Sequence, residues 1–127
     1  MHDYGYALRM IRCALAFILM PAALFAQQWE PRTDDALFDQ NSLDRRLRGT
    51  TITFFDDGQS RFFEDGRYTY TYANEGGIGY GYFSVMQDST ICIEFVTGFS
   101  RCDLYVTDAE GRLIVITASG DRFPTRP

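Results

Sequence analysis

The run Ile91-Cys-Ile-Glu-Phe-Val-Thr-Gly-Phe-Ser-Arg-Cys-Asp103 constrains this chain more than any other stretch: two apolar arms, each carrying a cysteine, folded about a glycine-containing turn. Setting Cys92 opposite Cys102 centres the reversal on Thr97 and leaves Gly98 for the positive φ that a short hairpin loop requires. The sequence therefore predicts a β-hairpin closed by a cross-strand disulfide. In the chain-entropy account a bridge of this length stabilises by about 2.5–3 kcal/mol, a sizeable share of the roughly 5–15 kcal/mol that holds a small domain together. Alternation puts Cys92, Glu94, Val96, Ser100, Cys102, Leu104 and Val106 on one face and Ile91, Ile93, Phe95, Phe99, Arg101, Asp103 and Tyr105 on the other. Neither face is simply polar. Either a bulge near Ser100 shifts one arm, or both faces are partly covered, one by the core and one by an N-terminal helix.

A disulfide needs an oxidising compartment, and the N-terminus supplies the matching address. Arg9 and Arg12 precede the apolar run Cys13–Ala26, which contains Pro21 and is too short to span a bilayer comfortably. It reads as a secretory signal peptide over 1–26, cleaved after Ala26 and carrying Cys13 away with it. The mature chain, from Gln27, then holds two cysteines, ten Arg and sixteen Asp plus Glu, a net charge of −6, with no Lys. It has no transmembrane segment, and its acidity makes nucleic acid a poor partner. The predicted division is a lead-in and helix over 27–49 and a β-meander domain over 50–127.

Within the lead-in, Thr33 can cap a helix, Asp34 and Asp35 suit its positive end, and Arg45, Arg46 and Arg48 suit its negative end before Gly49. Leu43 and Leu47, joined by Ala36 and Leu37, give it a narrow apolar stripe, enough to lie on a sheet or plug the mouth of a barrel unless Asn41-Ser42 break the helix in two. From Thr50 the pattern changes to short strands divided by turn residues, as at Asp56-Asp57-Gly58, Glu64-Asp65-Gly66 and Asn74-Glu75-Gly76-Gly77. The fold class is thus mainly β: a small antiparallel meander of about seven to eight strands, strongly curved or closed into a barrel because flat edges invite aggregation, with one N-terminal helix.

The candidate chemistry is narrow. With no His after residue 2, no Lys and both cysteines committed to a bridge, a Ser-His or Cys-His nucleophile pair and the usual zinc ligands are absent from the mature sequence. The acid pairs Asp56-Asp57 and Glu64-Asp65 sit at turns and point outward, and neither has the spacing of a calcium loop, so neither a metal nor a cofactor is expected. Glu94, the one acid in an apolar strand, reads as a partly exposed strand position. The informative cluster is aromatic: reversal about Glu75 would set Tyr72 opposite Ile78, Tyr70 opposite Tyr80 and Tyr68 opposite Tyr82. That makes a five-tyrosine ladder of Tyr68, Tyr70, Tyr72, Tyr80 and Tyr82 the predicted binding surface, with Gly79 and Gly81 on the reverse face.

The segments Gly79-Tyr-Gly-Tyr-Phe-Ser-Val85, Cys92-Ile-Glu-Phe95 and Ser100-Arg-Cys-Asp103 resemble those of a group of small exported bacterial proteins that carry an uncharacterised domain, over roughly Leu47 to Phe123. The resemblance implies a Gram-negative periplasmic setting and identifies no catalytic residue. The expectation is a non-catalytic periplasmic binding or inhibitor module whose partner is an envelope glycan, peptide or protein, with secretion beyond the envelope as the alternative location. A structural or assembly protein of the envelope is the second reading and a carboxylate-based enzyme the third. A pocket lined by tyrosines with a convergent acid or arginine would favour binding; a filled interior with a wide apolar outer patch would favour assembly.

Overall fold

The computed structural model describes residues 29–127, so the expected signal peptide and its cleavage site lie outside the described residues. The elements are β1 (Ala36–Leu37), α1 (Gln40–Leu47), β2 (Thr51–Thr53), β3 (Gln59–Phe62), β4 (Arg67–Thr71), β5 (Ile78–Val85), β6 (Thr90–Phe95), β7 (Ser100–Thr107), β8 (Leu113–Ile116) and β9 (Arg122–Pro124). Strands β2 to β9 pair antiparallel in chain order, and β1 pairs antiparallel with Val106–Thr107 of β7, past the point where β6 ends. This is the expected meander. It curls into a half-barrel whose two ends touch, through an isolated bridge between Phe54 and Thr125 and a hydrogen bond from the Arg126 amide to the Thr53 carbonyl, 2.8 Å.

The helix starts later than the sequence suggests. Its cap is Asp39, whose Oδ1 accepts the Ser42 amide at 2.8 Å, in place of Thr33. Asp34 and Asp35 therefore lie outside it, and Ala36–Leu37 form a short strand that the helical reading concealed. The predicted terminator holds: Gly49 takes φ +82° directly after the Arg48 cap. Leu43 and Leu47 are fully buried and join Phe62, Phe83, Ile91 and Leu113 in the core. Two contacts seat the helix against the end of the half-barrel where β3 turns into β4 and β5 into β6: Gln40 Nε2 donates to the Val85 carbonyl at 2.8 Å, and Arg48 Nη1 to that of Glu64 at 3.1 Å. One mouth is thereby plugged.

The mixed faces of the cysteine hairpin have a covering explanation, not a bulge. The pairing runs unbroken from Thr90↔Leu104 to Glu94↔Ser100. Ile91, Ile93, Asp103 and Tyr105 face the helix-plugged core, whereas Leu104, Val106, Ile114 and Ile116 form a second cluster on the outer face. Trp29 of the lead-in packs on that outer cluster, so the lead-in covers it and the helix does not. Ser89, fully buried at φ +70°, ties the lead-in down by accepting the Phe38 amide at 2.8 Å while its hydroxyl donates to the Tyr105 carbonyl.

A second tie is ionic. Arg122 clasps Asp35 through two nitrogens at 2.7 and 3.1 Å, and the Asp35 side chain is fully covered. The Arg122 hydrogen bond is the main cause that holds the Asp35 carboxyl below its ordinary value, against an opposing effect of burial. A carboxyl depressed on folding stabilises above its unfolded pKa, near 3.9, and loses that contribution as pH falls through the lower folded value. Asp35→Asn is expected to lower stability by about 1–3 kcal/mol at pH 7. Urea unfolding of both proteins between pH 7 and 2 should show the gap closing only below the unfolded pKa.

Candidate functional site

The tyrosines do not form one ladder. The observed register is one residue off the expected one: Tyr70 lies opposite Gly79, Tyr68 opposite Gly81, Thr69 opposite Tyr80 and Arg67 opposite Tyr82. The turn decides this. Asn74 and Glu75 both take positive φ, 57° and 60°, in a four-residue loop closed by the Tyr72 amide on the Gly77 carbonyl, so the reversal falls between Asn74 and Glu75 and not on Glu75. A slip of one residue moves a whole set of side chains to the other face. Tyr68 and Tyr70 consequently point inward, while Tyr80 and Tyr82 stand on the outer surface, 55% and 58% exposed. The glycines share the inner face with the tyrosines: a Cβ on Gly79 would press on the Phe95 ring at 3.2 Å, and one on Gly81 would collide with the Glu94 carbonyl. Glycine opposite tyrosine makes room for the ring in a narrow interior.

The inward tyrosines line a cavity of about 240 Å³ at the mouth that the helix leaves open. Tyr68 is deep and nearly covered, its hydroxyl 2.7 Å from Ser60 Oγ. Tyr70 is half-buried with its hydroxyl against Gly58, and its ring meets that of Tyr72 edge-on at 4.9 Å. Tyr72 and Phe123, 54% and 44% exposed, stand at the lip. Phe95 makes another wall, edge-on to Tyr68 at 6.0 Å and backed by Phe99.

Three polar residues that the sequence reading did not single out complete the site. Arg101 donates through Nε and Nη2 to the two carboxylate oxygens of Asp103, at 3.0 and 2.9 Å, with the Asp103 side chain only 11% exposed and that of Arg101 45% exposed. Tyr105, buried beneath the pair, also lines the cavity, and its hydroxyl has no hydrogen-bond partner among the described residues. Parity offered the clue: Arg101, Asp103 and Tyr105 alternate in phase with Ile91, Ile93 and Phe95, so a cation and an acid had to lie on the inward face. Burial pushes the Tyr68 and Tyr105 phenols up, Tyr105 far up, with the Asp103 charge adding to both. The Asp103 hydrogen bond in turn raises the Arg101 guanidinium. At neutral pH the cavity thus presents neutral phenols beside one compensated ion pair.

The remaining sequence candidates fall elsewhere. Asp56 borders the cavity and accepts the Gly58 amide at 2.9 Å, as a turn aspartate does, while Asp57 pairs with Arg126 at 2.6 Å. Glu94 is exposed on the outer face opposite Tyr82. Cys92 and Cys102, directly opposed on β6 and β7, are joined with an S–S distance of 2.04 Å. Among the described residues no group of three or more His, Cys, Asp or Glu could hold a metal, and no helix is long and apolar enough to cross a membrane. Neither a family model nor a curated protein nor a solved structure matches the chain.

Proposed function

We propose that this protein is a non-catalytic binding or inhibitor module of the bacterial envelope, exported to the periplasm, with the open mouth of the half-barrel as its ligand site. The carrying observation is the 240 Å³ cavity in which Tyr68, Tyr70 and Tyr72 converge with the Arg101–Asp103 pair. Concave, mostly aromatic sites with a few fixed polar groups are where ligands bind. The disulfide, the N-terminal apolar run and the resemblance to small exported proteins support the envelope setting. An assembly role, the second reading, draws on the outer face of β5, where Ile78, Tyr80 and Tyr82 are all exposed.

Capture from periplasmic extract by the immobilised exported protein separates the two readings. Tyr72→Ala removes an exposed ring at the lip and is expected to reduce capture at least several-fold, with Tyr80→Ala behaving as the parent. The opposite ranking would remove the mouth and favour the outer face.

A further inference from the structure

We infer that the mouth takes a neutral sugar ring, one pyranose at the end of a glycan, held between its aromatic wall and its ion pair. This deepens the proposed function and rests on the mouth being the ligand site. Size comes first. At about 240 Å³ the cavity is smaller than the roughly 300–1,000 Å³ that encloses a drug-sized molecule, so it admits one ring or one side chain while the rest of the ligand lies across the lip at Tyr72 and Phe123.

Charge and hydrogen bonding then narrow the chemistry. An anion would meet Asp56 as well as Asp103, and a cation would find Asp103 already paired through two of the five Arg101 donors and Asp56 exposed at the rim, its Oδ1 taken by the Gly58 amide. A purely apolar side chain would cover the Tyr105 hydroxyl and crowd the spare Arg101 donors without pairing either, a desolvation penalty with no return. A pyranose meets none of these objections. Its ring carbons offer an apolar face to the tyrosine and phenylalanine rings, and its edge carries hydroxyls that both donate and accept. The polar groups wait at fixed positions: Asp103 is locked by Arg101, and Tyr105 is held by the core around it.

The test titrates the exported protein with the methyl glycosides of glucose, galactose, mannose and N-acetylglucosamine, and in parallel with the N-acetyl amides of leucine, lysine and tryptophan, following tyrosine ring and Arg101 Nε–H resonances by NMR. At least one glycoside should shift Tyr70, Tyr105 and Arg101 saturably. Tyr105→Phe, which removes only a hydroxyl, should weaken that binding about 2–10-fold, and Tyr80→Ala should leave it unchanged. The inference is overturned if no glycoside saturates the mouth, or if Tyr105→Phe binds as tightly as the parent. Binding of an amino-acid amide in place of every glycoside also overturns it, while leaving the mouth as the ligand site. Capture lost with Tyr80→Ala and kept with Tyr72→Ala would instead remove the site itself.

Discussion

Tyr68→Ala is expected to destabilise the domain by about 3–5 kcal/mol, and Tyr80→Ala by no more than about 0.5 kcal/mol. The two tyrosines lie on adjacent strands and belong to one sequence cluster, yet Tyr68 is 6% exposed and Tyr80 55%. Tyr68 packs against Phe62 at 5.2 Å and Phe95 at 6.0 Å, and it gives Ser60, itself buried, its hydrogen bond. Truncation would open a cavity against a fully buried Phe62 and leave the serine unpaired, two losses that act together. Tyr80 stands opposite Thr69 on a solvated face, where a lost ring removes little apolar burial. Urea unfolding followed by circular dichroism decides the matter. Equal losses at the two positions would mean that the register between β4 and β5 is wrong.

Removing the bridge is expected to cost about 2.5–3 kcal/mol, most of it through the unfolded chain. Cys92 and Cys102 lie half-buried on the outer face of the hairpin, and Ile91 and Ile93 hold the inner face in the core. The Cys92→Ala/Cys102→Ala double variant should therefore lose the constraint without leaving a large hole. Against the marginal stability of a domain this size, that loss should appear as a fall in Tm of roughly 10–20 °C. Alkylation of the folded protein should label neither thiol before reduction and both after it. Two thiols that react without reductant would show that the bridge is not formed and would return thiol chemistry to consideration.

Much of the fold can be read from the chain because it depends on local rules. Gly98 and the symmetric cysteines specify one hairpin, short strands broken at Asp-Gly and Asn-Glu-Gly-Gly specify a meander, and the Leu43 and Leu47 stripe specifies a helix that must be buried. The start of the helix was less legible. Thr33 and Asp39 are both acceptable caps, and what selects Asp39 is the pairing of β1 with β7, a contact with residues about seventy positions away.

The candidate site divides in the same way. Composition alone set aside histidine, lysine and free-thiol chemistry and pointed to tyrosine as the residue for recognition. Which tyrosines share a face was decided only in the folded chain, since a single residue in the turn at Asn74-Glu75 reverses every side chain on a strand. Arg101 and Asp103 were visible as charged residues on an apolar parity, but parity cannot tell a partly covered strand from a cavity wall. Curling of the sheet settles that, because it brings Arg101 and Asp103 of β7 round to Tyr70 of β4, three strands away, while Leu43 and Leu47 of the helix fill the other end. Local chemistry along the chain determined which elements form, and packing between distant strands decided which face is a core and which is a mouth.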